Sequence, residues 1–262
     1  MNELVKKYGI DTIFNLASLL SVTSEQNPDA AFNINLVGLK YSIEVALQQN
    51  VEKFFWPSSI AAFGPTTTKE NTPQQTILEP TTMYGVTKVA GENLIRNYNV
   101  NYERYGLDIR SLRYPGLISW KAEPGGGTTD YAVAIFYDAI KNGQYQCYLR
   151  EDTMLPMMYM PDAIRGTIQL MKAKRENLNV KGSYNFAAIS FTPKELENEI
   201  KKIIKNFKCT YVPDHRQKIA DSWPKSIDDS QARKDWGWEH EYDLEKMVKD
   251  MFENLEKKLK NK

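Results

Sequence analysis

Short apolar runs alternate along this chain with longer stretches whose apolar residues recur every three or four positions. "DTIFNLASLL" (11–20), "VEKFFWP" (51–57) and "LDIRSLRYPG" (107–116) are of the first kind, and each closes on small or polar residues. Between them, 29–49 places Ala31, Ile34, Leu39, Ile43, Ala46 and Leu47 at helical spacing, and 82–105 does so with Val86, Val89, Ala90, Leu94 and Tyr98. Short apolar runs predict buried strands, and a period near 3.6 predicts amphipathic helices. Strand–helix–strand units with crossovers this long predict an α/β fold, a parallel sheet covered by helices on both faces.

Past Gly116 the texture changes. "SWKAEPGGGTTD" (119–130) is a loop rich in Gly, Pro and Thr, and a helix is expected from about Asp130 to Lys141. Another helix opens at "MPDAIRGTIQLMKAK", with Asp162 near its start, and "GSYNFAAIS" (182–190) reads as one strand. "TPKELENEIKKIIKNF" is a helix with Thr192 as N-cap and Pro193 at the first helical position. "KCTYVPD" reads as a strand, and 242–262 as a closing amphipathic helix. Residues 1–118 are thus expected to hold the sheet. Residues 119–262 form mainly a smaller α/β lobe, with some segments returning to the sheet.

Composition narrows the partners. In 262 residues, 34 Lys and Arg stand against 33 Asp and Glu, a net charge of +1, so no basic field for nucleic acid is expected. Cys147 and Cys209 have no C-x-x-C spacing and only His215 and His240 for company. They are expected to be buried free thiols in a reducing compartment, with no metal site. No apolar run approaches the roughly 18–20 residues of a membrane span. "MNELVKKYGIDTIF" has neither the apolar core of a secretory signal nor the Arg- and Ser-rich character of a transit peptide. A soluble, cytoplasmic chain is the expectation.

The chemistry gathers around "PSSIAAFG" (57–64) and "YGVTK" (84–88). Tyr84 and Lys88 sit four apart, so both project from one helical face. A free phenol, with a pKa near 10, is a poor base at neutral pH, and an ammonium one turn away favours the phenolate. Such a pair can take or return a hydroxyl proton. Ser58 and Ser59 end a predicted strand, and in open parallel sheets ligands bind at that end. The Y-x-x-x-K spacing occurs three times, at Tyr84, Tyr137 and Tyr242. Twenty-five residues upstream stand Ser59, Leu112 and Gln217 respectively, so only the first pairs with a hydroxyl.

With these residues the chain resembles the extended short-chain dehydrogenase/reductase family, which implies a Rossmann-like parallel sheet. The resemblance implies Ser59, Tyr84 and Lys88 as catalytic trio, with Ser58 a neighbouring contact for cofactor or substrate. "NLASLLS" (15–21) is similar to the loop that lines NAD, which implies cofactor contacts at Asn15, Leu16 and Ala17 and a substrate contact at Ser21. "NINLVGL" (33–39) is similar to the helix whose Asn, here Asn35, braces the site, and "RYPGLI" (113–118) to the segment that meets the nicotinamide, implying Tyr114, Pro115 and Gly116. Within the family, "PGGGTTDYAV", "LPMMYMPDA", "FTPKEL" and "DHRQKIADSWPKSIDDSQARKDWGW" resemble the short-chain-type L-threonine 3-dehydrogenases. That implies NAD as cofactor and L-threonine as substrate, with 2-amino-3-ketobutyrate as product. It also implies a homodimer built through helices 29–49 and 82–105, and a mitochondrial rather than cytoplasmic location for a eukaryotic member.

L-Threonine presents an ammonium, a carboxylate and the reacting hydroxyl within a few ångströms. "GGGTTD" offers glycine N–H donors, including Gly127, for the carboxylate, and the hydroxyls of Thr128 and Thr129. Asp130 either pairs with the ammonium or caps the following helix, and Trp223 either borders the substrate or only packs the lobe. The family's Gly-rich phosphate turn is not among these residues, and the chain starts where a fourth strand is expected, near Thr12. The expectation is therefore an N-terminally truncated sheet with "TIFNLA" at an exposed edge. Two alternatives stand beside the dehydrogenase. A nucleotide-sugar epimerase or dehydratase is disfavoured by Tyr114-Pro115-Gly116 in place of the usual Asn-x-Tyr-Gly-Pro, and the other is a silent dimerisation module.

Overall fold

A computed structural model describes residues 1–260. Among them, strands β1 (Thr12–Phe14), β2 (Lys53–Ser59), β3 (Asp108–Tyr114), β4 (Gly116–Ile118), β5 (Gln144–Cys147), β6 (Leu155–Tyr159), β7 (Ser183–Asn185), β8 (Ile189–Phe191) and β9 (Lys208–Tyr211) form three sheets. The largest is parallel in the order β1-β2-β3-β7. β4, β6 and β8 form a mixed sheet, and β5 pairs with β9. The fold is α/β with a Rossmann-like parallel sheet. β1 forms one margin of the large sheet, where Phe14 is 46% exposed.

The interior strands are apolar because both faces are covered. Phe54, Phe55 and Trp56 of β2 are buried, as are Ile109 and Leu112 of β3. On one face Leu39, Ile43 and Ala46 pack with Phe54, Trp56 and Ile95, and on the other Leu170 and Met171 pack with Phe55 and Leu112. Helix Met160–Lys172, from the second half of the sequence, covers that second face, and β7 completes the sheet.

Three expectations need correction. "GSYNFAAIS" is two strands, not one: β7 belongs to the large sheet and β8 to the mixed one, and Phe186–Ala188 carries the chain between them. The predicted helix 29–49 is helical from Pro28 to Gln48, but Phe32–Val37 widens into a π turn, with the Gly38 N–H bonded to the Asn33 carbonyl. The predicted 82–105 helix runs Met83–Val100, followed by a separate turn Tyr102–Tyr105. Thr192 forms a reciprocal cap with Glu195, as its sequence pattern predicts. Cys147 is buried and Cys209 half-buried, and both are free thiols.

Helix Met83–Val100 approaches β2 unusually closely at one residue. A Cβ on Gly91 would lie 2.5 Å from the Trp56 ring, closer than such atoms come. Gly91→Ala is therefore expected to destabilise the protein by about 1–3 kcal/mol, measured by urea unfolding; an unchanged midpoint would show that the helix can retreat freely.

Candidate active site

β2 carries Pro57, Ser58 and Ser59 to the C-terminal rim of the sheet, beside the β3 residues Leu112, Arg113 and Tyr114. There Ser59 accepts the Ala61 N–H at 3.2 Å and so caps a short turn, Ile60–Ala62, that leads the chain away. Helix Met83–Val100 begins nearby, capped by Thr82, whose hydroxyl accepts the Gly85 N–H at 3.2 Å. Its first turn also meets Glu25, whose carboxylate accepts the Met83 N–H at 2.6 Å. The result brings residues 59, 84 and 88 together. The Tyr84 and Ser59 hydroxyls are hydrogen-bonded. The Lys88 amine donates to the Pro57 carbonyl at 2.7 Å, and lies 4.5 Å from the Trp56 ring and 5.2 Å from that of Tyr84.

A cavity of about 270 Å³ opens over this trio. Leu16 and Ser21 wall one side, Pro115 and Gly116 another, and Gly127, Thr128, Thr129, Asp130 and Trp223 a third. Gly116 is required there, since a Cβ would lie 2.4 Å from the Met157 sulfur and 2.8 Å from Thr129. Tyr114 borders the cavity but packs its ring against Phe55 and Phe186, with its hydroxyl bonded to Thr167. Asn15 and Ala17 lie outside the cavity, on the chain leading to it, where the Ala17 N–H donates to the Asn15 side chain at 3.3 Å. Asn35 is also outside but buried. It accepts the Leu19 N–H at 2.7 Å, donates to the Leu19 carbonyl at 3.1 Å and reaches the Thr87 hydroxyl at 3.3 Å, tying the 18–20 loop to the helix.

At the glycine loop the structure departs from the sequence reading. Asp130 makes no side-chain cap to the helix Tyr131–Asn142. Its carboxylate instead accepts the Gly125 and Gly127 N–H groups at 2.7 and 2.9 Å. The donors expected to face a ligand carboxylate are spent on a residue three to five positions ahead, which bends the loop into a closed bracket. Thr128, which lines the cavity, keeps an unspent group: its hydroxyl is buried and has no hydrogen-bond partner. An orphaned buried hydroxyl costs about 1–3 kcal/mol, so a polar ligand atom here has something to satisfy.

Ser58 also lines the cavity, but its polar group is turned elsewhere. Its hydroxyl donates to Glu92 at 2.5 Å, inside a buried group that includes Arg113 and Asn185. The sequence reading missed these residues, although the Glu92 spacing, four beyond Lys88 on the same helical face, was a usable signal. It also gave no role to the cavity residues Ser18, Leu20, Pro57, Ile60 and Leu117, although they lie within "NLASLLS", "PSSIAAFG" and "RYPGLI".

Burial pushes the Tyr84 phenol up to about 12, with the Ser59 hydrogen bond pulling the other way. Burial also draws the Lys88 amine down to about 7, against the opposing pull of Glu92.

The chain belongs to the NAD-dependent epimerase/dehydratase family, whose sequence profile matches residues 1–187. It is 47% identical to the mitochondrial L-threonine 3-dehydrogenase of Bos taurus, over 96% of this chain and 66% of that one. The solved GalE-like L-threonine dehydrogenase from Cupriavidus necator, in its holo form, superposes with a TM-score of 0.93 at 53% identity, over 96% of this chain and 81% of the other. A monomeric L-threonine 3-dehydrogenase from a metagenome superposes at 0.93 with 47% identity, over 98% and 82%.

NAD is the cofactor of this family, and the cavity fits its nicotinamide end. The cavity lies at the C-terminal rim of parallel strands, carries an amine and a phenol on one wall, and falls just below the roughly 300–1,000 Å³ of sites for drug-sized ligands. It suits a reactive ring and a small substrate rather than a whole dinucleotide.

The amine gives a checkable pH signature. Between pH about 7 and the ordinary lysine value, the unfolded chain holds a proton on Lys88 that the folded chain lacks. Its unfavourable contribution is complete below that window and fades as pH rises through it. The urea stability of wild type minus that of Lys88→Met is therefore expected to increase from pH 7 to pH 10; a flat difference would mean the amine titrates normally.

Proposed function

We propose that this protein is an NAD-dependent L-threonine 3-dehydrogenase, oxidising the Cβ hydroxyl of L-threonine to give 2-amino-3-ketobutyrate. The observation that carries the reading is the convergence of Ser59, Tyr84 and Lys88 on one small cavity that is also lined by Thr128, whose hydroxyl is unpartnered. The names of the similar proteins support the same substrate. A nucleotide sugar is disfavoured by the cavity volume of about 270 Å³.

NAD, when bound, supplies the hydride acceptor and a positive charge beside the trio. Tyr84 takes the proton of the substrate hydroxyl. Ser59, already bonded to that phenol, holds the substrate oxygen in line. Lys88, fixed by the Pro57 carbonyl, favours the phenolate when charged. Lys88, Tyr84 and the Tyr114–Gly116 backbone would hold the nicotinamide end, with Leu16 and Ala17 towards the adenosine. Thr128 offers its hydroxyl to a polar substrate atom, and Asp130 faces the ammonium across the glycine bracket. Ser21 and Trp223 close the cavity around the side chain.

Threonine-dependent reduction of NAD by the purified protein is expected. Tyr84→Phe should lower kcat by about 10²–10⁴-fold. Thr128→Val should raise the KM for threonine about tenfold, the worth of one lost hydrogen bond. A wild-type protein inert with threonine but active on another alcohol would refute the substrate assignment.

A homodimer through the helical faces 28–48 and 83–100 belongs to the same reading. It is supported by Phe32, Ile34, Tyr41 and Val86, all more than two-fifths exposed. Sedimentation should give twice the monomer mass, and Tyr41→Glu with Val86→Glu should return it to monomer; a monomeric wild type at tens of micromolar would exclude the dimer. The free thiols Cys147 and Cys209 support a reducing compartment, the cytoplasm.

A further inference from the structure

Three side chains on one face of helix Met83–Val100, spaced by four residues, each grip one of three consecutive residues at the tip of β2. Tyr84 bonds the Ser59 hydroxyl, Lys88 the Pro57 carbonyl at 2.7 Å, and Glu92 the Ser58 hydroxyl at 2.5 Å. The first two grips belong to the trio already described. The third does not, since Glu92 is buried and outside the cavity.

Glu92 is itself held rigidly. Arg113, paired with Ser58 in the β2–β3 register, donates through Nε at 3.0 and 3.2 Å and through Nη2 at 2.7 Å to the two carboxylate oxygens. The remaining guanidinium nitrogen donates to the Gln74 carbonyl at 3.1 Å and the Asn185 side chain at 3.0 Å. Asn185 in turn donates to the Thr72 and Asp228 carbonyls, both at 3.0 Å. One buried network thus joins the strand tip to the loop between β2 and the helix, and to the segment after Trp223. Replacing a buried ion pair by apolar residues is often neutral or stabilising, so the pair's contribution to stability does not account for it.

We propose that Glu92, clamped by Arg113, is a positioning residue of the active site: it fixes Ser58 so that Ser59 and Tyr84 stay in contact, and it sets a negative charge beside the Lys88 amine. The charged and titratable groups around that amine are Tyr84 and Glu92 on its own helix, with Arg113 of β3 in contact with Glu92. β2 faces it with the Trp56 ring and the Pro57 carbonyl. Glu92 acts on the amine against the effect of burial.

The inference rests on the dehydrogenase reading, and two variants separate its parts. Glu92→Gln keeps the shape and removes the charge, whereas Ser58→Ala removes the grip and keeps the charge. Glu92→Gln is expected to lower kcat at least tenfold with little change in the KM for threonine, and to move the acid limb of the kcat–pH profile to higher pH, because a less charged Lys88 favours the phenolate less. Ser58→Ala is expected to lower kcat without moving that limb. A readout independent of turnover is the Lys88 titration by ¹³C NMR of labelled lysine, assigned with Lys88→Met. Its midpoint should fall by about one pH unit in Glu92→Gln and stay in place in Ser58→Ala. An active wild type whose Glu92→Gln variant keeps kcat, pH profile and lysine midpoint would overturn the proposal. A wild type without threonine-dependent turnover would overturn the dehydrogenase reading instead, and the lysine titration would still decide the electrostatic part. Should Glu92→Gln fail to fold, Glu92→Asp gives the same test by distance: the limb and midpoint move partway, or the proposal falls.

Discussion

The contact on which this site depends is the close approach of helix Met83–Val100 to β2, permitted because residue 91 has no side chain to meet Trp56. At an ordinary helix–sheet spacing the Lys88 amine would not reach the Pro57 carbonyl, nor the Tyr84 phenol the Ser59 hydroxyl. Everything polar at the strand tip follows from that proximity. Trp56 fills the space beneath, and the same ring lies under the Lys88 amine. One aromatic residue therefore both limits the depth of the helix and forms part of the buried surroundings of the amine.

Burial of those groups has two effects in tension. It makes the phenol a weaker acid and the amine a weaker base. It also strengthens whatever charge is brought in, because screening by water is reduced. The site therefore responds strongly to charge placed within it. Its substrate wall follows the same logic, with Asp130 and its glycine donors self-satisfied while the Thr128 hydroxyl waits for a partner.

Much of this was legible in the sequence, and for identifiable reasons. Ser59, Tyr84 and Lys88 could be read because two simple periods, one for strands and one for helices, place them, and because only the first of three Y-x-x-x-K spacings has a hydroxyl upstream at 25 residues. The parallel sheet followed from the length of its crossovers. Less visible was anything decided by a choice between equivalent donors. Asp130 could be read as an ammonium partner or as a cap, because aspartate before a helix often is one, yet its carboxylate accepts the glycine N–H groups behind it. Residues 182–190 looked like one strand because apolarity does not record a change of sheet. Ser58 does line the cavity, but its adjacency to Ser59 does not record that its hydroxyl turns to Glu92, since alternate strand residues face opposite ways.

The π turn at Phe32–Val37 has a consequence for phase. Such a turn holds one residue more per hydrogen-bonded ring than an α-helix, and each residue advances a helix by about 100°. The side chains before and after it are therefore offset relative to a regular rod. Asn35, inside the widened turn, can serve the loop beside the cavity, while Leu39, Ile43 and Ala46 beyond it keep their own bearing on the core. A chain shortened by a single residue there would have to abandon one alignment or the other. The helix is in effect two shafts joined by a coupling, and the extra residue is what allows each to be clocked to a different neighbour.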